Sequence, residues 1–93
     1  MKMVKKRERL EVIFDILKAI RDNNNSLRPT KLLFASNLSP QMFKEYLKEL
    51  LEKEFVEKIL DNKKTKFYSL TDKGFKFIEK YSIVLNFIDD FGL

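Results

Sequence analysis

The chain has no cysteine, no histidine and no tryptophan. Without Cys it can form neither disulfides nor thiolate metal sites, and without His it lacks the commonest general base and zinc ligand. A Ser-His-Asp or Cys-His arrangement cannot be assembled from these side chains. Every candidate carboxylate pair has a Lys nearby in helical register. An enzyme is therefore disfavoured, and no catalytic residue, metal or cofactor is expected. Gly and Pro are scarce, at two each. No run reaches the roughly 18 apolar residues of a membrane span. The basic N-terminus has no apolar stretch behind it, so it does not read as a signal peptide. A cytoplasmic protein with no membrane partner is expected.

What is present fits one small domain: 93 residues, 44% hydrophobic, with nine Phe that could fill a modest core from few side chains. Lys and Arg number 19 against 14 Asp and Glu, a net charge of +5. The excess is uneven. Residues 1–9 hold Lys2, Lys5, Lys6, Arg7 and Arg9 against Glu8 alone, and residues 58–80 hold seven Lys against Asp61, Asp72 and Glu79. Such clusters attract polyanions, although a charge run can equally be a solvated face.

Residues 1–6 read as a basic, flexible arm. From Arg7 to about Asp22, Leu10, Ile13, Phe14, Leu17 and Ile20 recur at helical spacing. Val12 and Ile16 fall off that stripe, which implies a second covered surface. Asn23-Asn24-Asn25-Ser26 ends the helix, since Asn tolerates left-handed geometry. Pro29 opens a short second helix, Asn37-Leu38 breaks it, and Ser39-Pro40 starts a third that runs to about Lys53. Phe43, Leu47, Leu50 and Leu51 form the buried face of the third helix, with Tyr46 at its margin. The period then changes to alternation over residues 55–60 and 65–70, joined by Asp61-Asn62-Lys63-Lys64 as a hairpin loop. Thr71-Asp72 caps a last helix that continues to about Asp90.

Three signals bear on function. A helix fits the major groove, and residues near its N-terminus reach base edges while the preceding helix crosses the backbone. Ser39, Gln41, Lys44 and Lys48 lie on the side of the third helix that such docking would present. Lys44/Lys48 and Glu45/Glu49 could also be ordinary exposed positions, and the helix is net acidic over its length. The hairpin tip with Lys63, Lys64 and Lys66 could reach phosphates, with Arg28 and Lys31 adding contacts from the second helix. Those Lys could also only solubilise a turn or protect a strand edge.

The last helix has too many apolar positions for one stripe. Phe75, Ile78, Tyr81, Leu85 and Ile88 make one set, expected to pack on the domain. Phe77, Val84, Phe87 and Phe91 make another, expected to pair with a twin helix in a homodimer. Folding back over the core is the alternative. Membrane-surface binding is opposed by Asp89-Asp90.

Thr30-Lys31-Leu32-Leu33-Phe34-Ala35-Ser36-Asn37-Leu38-Ser39, then Tyr46-Leu47-Lys48-Glu49-Leu50, then Tyr68-Ser69-Leu70-Thr71-Asp72-Lys73-Gly74 resemble the small archaeal winged-helix DNA-binding proteins. The likeness runs from about Lys5 to Tyr81. It implies duplex DNA binding, in a chromatin or regulatory role, and dimerisation through a C-terminal coiled-coil helix. Two departures stand out. Glu54 occupies the place where the family often has Gly, so the third helix is expected to end differently, and the last helix is short for the family's coiled coil.

The sequence thus points to an α+β winged helix-turn-helix: a domain over residues 7–71 and a dimerisation helix over residues 72–93. The partners expected are double-stranded DNA and a second copy, at the nucleoid. The competing reading is a protein–protein interaction module that uses the same fold and its apolar last helix without DNA.

Overall fold

A helical hairpin and a third helix lead into a two-stranded ribbon and a long last helix. The computed structural model describes residues 8–93, so the expected arm over residues 1–6, with Lys2, Lys5 and Lys6, and the adjoining Arg7 lie outside the described residues. The elements are α1 (Arg9–Asp22), α2 (Pro29–Ser36), α3 (Pro40–Glu52), β1 (Val56–Leu60), β2 (Lys66–Leu70) and α4 (Asp72–Asp90). β1 and β2 are antiparallel, with Val56 opposite Leu70 and Leu60 opposite Lys66. On the other edge of β2, Leu27 and Tyr68 exchange N–H···O bonds of 3.1 and 2.8 Å, a one-residue third strand that the sequence reading did not contain.

α1 ends where the Asn run was read. Asn24 and Asn25 take left-handed φ of 63° and 57°. The Asn25 Oδ1 accepts from the Leu70 N–H at 2.7 Å, which ties this turn to β2. α1 is the central helix, packed by α2, β2 and α4. That central place explains why Val12 and Ile16 are buried along with Ile13, Leu17 and Ile20. Leu10, expected on the buried face, sits instead in the first turn at the rim of a groove and is 51% exposed.

The core corrects one expectation from composition. It is aliphatic, joining the α1 residues to Leu27, Leu32, Leu47, Leu50, Val56, Leu70 and Ile78, with Phe43 and Tyr68 as its buried rings. Phe43 alone among the Phe residues is buried; Phe14, Phe55, Phe67 and Phe77 are half-buried, and Phe34, Phe75, Phe87 and Phe91 are exposed. Branched aliphatic side chains interdigitate between close helices, and the larger rings are left to the margins.

α3 ends in a way the sequence argued against. Glu54 does adopt the left-handed conformation, φ 64°. Its N–H donates to the Leu51 carbonyl at 3.1 Å and the Phe55 N–H donates to that of Leu50 at 2.9 Å, the bond pair of a Schellman motif. Left-handed geometry costs a non-Gly residue roughly 1 kcal/mol. The Thr71 hydroxyl offsets part of that cost by donating to the Glu54 carbonyl at 2.6 Å.

Thr71 also starts α4, its Oγ1 accepting from the Gly74 N–H at 3.2 Å. Gly74 is buried against the Phe55 carbonyl, where a Cβ would collide with backbone. Phe77 was expected on the outward stripe. It lies half-buried instead, edge-on to Phe55 at 5.8 Å and stacked on Tyr81 at 5.6 Å, while Tyr81 leans on Phe14 at 5.0 Å.

Beyond Ser82 every residue of α4 is exposed, so Leu85 and Ile88 do not face the domain as expected. The domain surface ends at the Phe14–Tyr81 contact while the helix runs on, giving extents of 51 × 27 × 22 Å.

Candidate nucleic-acid interface

The turn between α2 and α3 is built from short polar side chains. Asn37 reverses the chain in left-handed geometry, φ 57°. The buried Ser36 hydroxyl donates to the Leu33 carbonyl at 2.6 Å and accepts from the Leu38 N–H at 3.3 Å. Ser39 then caps α3, its Oγ accepting from the Met42 N–H at 3.2 Å. A hydroxyl expected to face a ligand is thus committed, as acceptor, to starting the helix, and Pro40 occupies the first helical position.

The rest of α3 separates its charges. Residues one apart lie about 100° apart around a helix, so Lys44/Lys48 and Glu45/Glu49 form parallel rows. The acidic row is engaged. Glu45 accepts from Gln41 Nε2 at 3.0 Å, and Glu49 accepts from Lys53 Nζ at 2.9 Å and from the Arg9 guanidinium. Arg9, counted in the basic cluster over residues 1–9, therefore serves to neutralise α3. Lys44 and Lys48 are exposed and make no ion pair among the described residues, and Gln41, bonded to Glu45 through its Nε2, is exposed too.

The hairpin tip is ordered by one side chain that sequence reasoning passed over as loop. The Asp61 carboxylate accepts from the Lys63 and Thr65 N–H groups, each at 2.8 Å. The Asp61 backbone supplies two more closing bonds, to Thr65 at 3.1 Å and from Lys64 at 2.9 Å. An Asp at the first position of a tight turn is the signal that could have found it. Lys63, Lys64 and Lys66 are all exposed on this frame.

Arg28 and Lys31 form a third group. Arg28 lies over the Phe67 ring, 5.9 Å from its centroid, and both cations line a hollow with Asp22, Asn23 and Ser26. The Arg21 guanidinium, bonded to Asp22 at 3.0 Å, holds that carboxyl below its ordinary range, so it remains an anion at the hollow's edge.

Val84, Phe87 and Phe91 lie on the free part of α4 with Ile83, which the sequence reading left out and which is 62% exposed. Among the described residues no helix is long and apolar enough to cross a membrane, and no cluster of carboxylates could hold a metal ion.

Residues 6–88 match a family model described as winged helix-turn-helix. An uncharacterized protein of Methanocaldococcus jannaschii is 37% identical over 83 residues, 89% of this chain and 36% of that protein. This chain thus spans about a third of its relative's length. The crystal structure of Sso10a-2, a DNA-binding protein from Sulfolobus solfataricus, has the same fold, with a TM-score of 0.73 over 91% of this chain and 85% of that one at 20% identity. The resemblance to small archaeal winged-helix proteins is borne out.

Proposed function

We propose that this chain, which belongs to the winged helix-turn-helix family, binds double-stranded DNA as a homodimer in a chromatin or regulatory role at the nucleoid. The observation that carries this reading is the sorting of charge on α3. Glu45 and Glu49 are held by Gln41, Arg9 and Lys53, while Lys44 and Lys48 are left open. The net-acidic composition that spoke against a DNA-reading helix is thus partly neutralised within the fold. α3 enters the major groove N-terminus first, with Gln41 and Lys44 nearest the base edges and Lys48 behind them. Lys63, Lys64 and Lys66 of the hairpin meet flanking phosphates, and Arg28 and Lys31 set the register on the backbone. The name of the Sulfolobus neighbour, a DNA-binding protein, agrees with this.

The free part of α4 supplies the dimer seam. Ile83, Val84, Phe87 and Phe91 are 48–68% exposed, an apolar surface that a second copy would cover. Lys76 and Lys80 lie towards the start of the helix and Asp89 and Asp90 at its end. An antiparallel pair sets the acids of one copy beside the lysines of the other, whereas a parallel pair stacks acid on acid. Phe77, occupied by Phe55 and Tyr81, contributes little to that seam.

The same apolar surface favours the second reading, a protein-interaction module without DNA. Chemical-shift mapping during titration with a duplex separates the two. Shifts concentrated at residues 39–48 and 61–66 support DNA binding; shifts nowhere in the domain at saturating duplex would leave the protein-partner reading.

A further inference from the structure

The wing combines two features that work against each other. Its tip has three exposed Lys but also a carboxylate, Asp61, which opposes attraction to phosphates. It also has no Gly or Pro, although Lys64 takes a left-handed φ of 63°. Lys64 itself disfavours that shape, since a Cβ in left-handed geometry costs roughly 1 kcal/mol. Each hydrogen bond that closes the turn has Asp61 at one end: two to its carboxylate and two to its backbone.

We infer that Asp61 is a positioning residue for DNA binding: it fixes the wing so that Lys63 and Lys64 meet the backbone already ordered. This rests on the DNA-binding reading above. Preorganisation matters here because long Lys side chains on a mobile loop lose entropy on binding, and a fixed loop frame reduces that loss. The role belongs to the acceptor oxygen and not to the charge. One side-chain oxygen takes both N–H bonds, and an amide oxygen can do the same. The charge itself, beside a polyanion, weakens binding.

This separation gives two substitutions with opposite outcomes. Asp61→Asn keeps the acceptor and removes the repulsive charge, so it binds duplex DNA as tightly as the parent or more tightly. Asp61→Ala makes the wing equally more positive but frees the Lys63 and Thr65 amides, and its affinity falls about five-fold, the scale of a lost hydrogen bond. Amide exchange at Lys63 and Thr65 is faster in the Ala variant and near parental in the Asn variant.

Both variants are read by fluorescence anisotropy on one random duplex at fixed salt, with circular dichroism to show that each is folded. Equal affinities for the two, or tighter binding by both, would overturn the positioning role while leaving DNA binding intact. A parent protein that does not bind duplex overturns the DNA reading and this role together.

Discussion

Gly74 brings α4 so close to Phe55 that its missing Cβ leaves room only for the Phe55 carbonyl, the same oxygen that accepts from the Thr71 N–H at 3.1 Å. The strand-Leu-Thr-Asp-Lys-Gly element is therefore a joint: it caps α4, closes the end of α3 and seats α4 against the start of the hairpin. Gly74→Ala would force backbone apart and should lower stability by about 1–3 kcal/mol, the range for overpacking a tight site. Urea denaturation measures it. A neutral result would mean that α4 is not held at this distance.

Glu54 invites the opposite substitution. Glu54→Gly removes the left-handed cost while leaving the Thr71 hydroxyl its carbonyl acceptor. Stability should rise by up to about 1 kcal/mol. Unchanged or lower stability in the same denaturation assay would show that the Schellman ending is not strained.

Much of this was legible in the chain. Ser39-Pro40 and Thr71-Asp72 mark the starts of α3 and α4 because capping is local chemistry, and both caps form as read. The hairpin follows from a change of period. Leu27 as a third strand was not legible, since one residue between Ser26 and Arg28 shows no alternation; Tyr68 across from it makes the strand. The faces of α4 were misdivided for a similar reason. Helical spacing shows that Phe77 and Val84 share a side, but not that the domain surface stops at Phe14 and Tyr81 between them. The neutralisation of Glu49 by Arg9 joins residues 40 apart, beyond any local pattern.

Lys44 and Lys48 are the open cations of α3. Their double Ala variant should lose at least about ten-fold in duplex affinity, the scale of one charge-assisted hydrogen bond. Fold is unaffected, because both are exposed. Parental affinity in an anisotropy titration would remove α3 from the groove.

Phe87 stands 55% exposed on the free part of α4. In sedimentation velocity the parent chain should run as a dimer and Phe87→Glu as a monomer with an unchanged domain spectrum by circular dichroism. A monomeric parent would contradict the seam.

The central claim is phosphate engagement by this basic face, and salt dependence tests it most directly. Anisotropy of a labelled random duplex is followed as salt rises, with genomic fragments as competitors. The account predicts a log–log slope of about −9, as expected from some ten neutralised phosphates, five for each copy of the homodimer, at roughly −0.9 each. A fragment that outcompetes random DNA would mark a regulator, and equal competition a chromatin role. No binding at low salt, or binding indifferent to salt, would contradict the account.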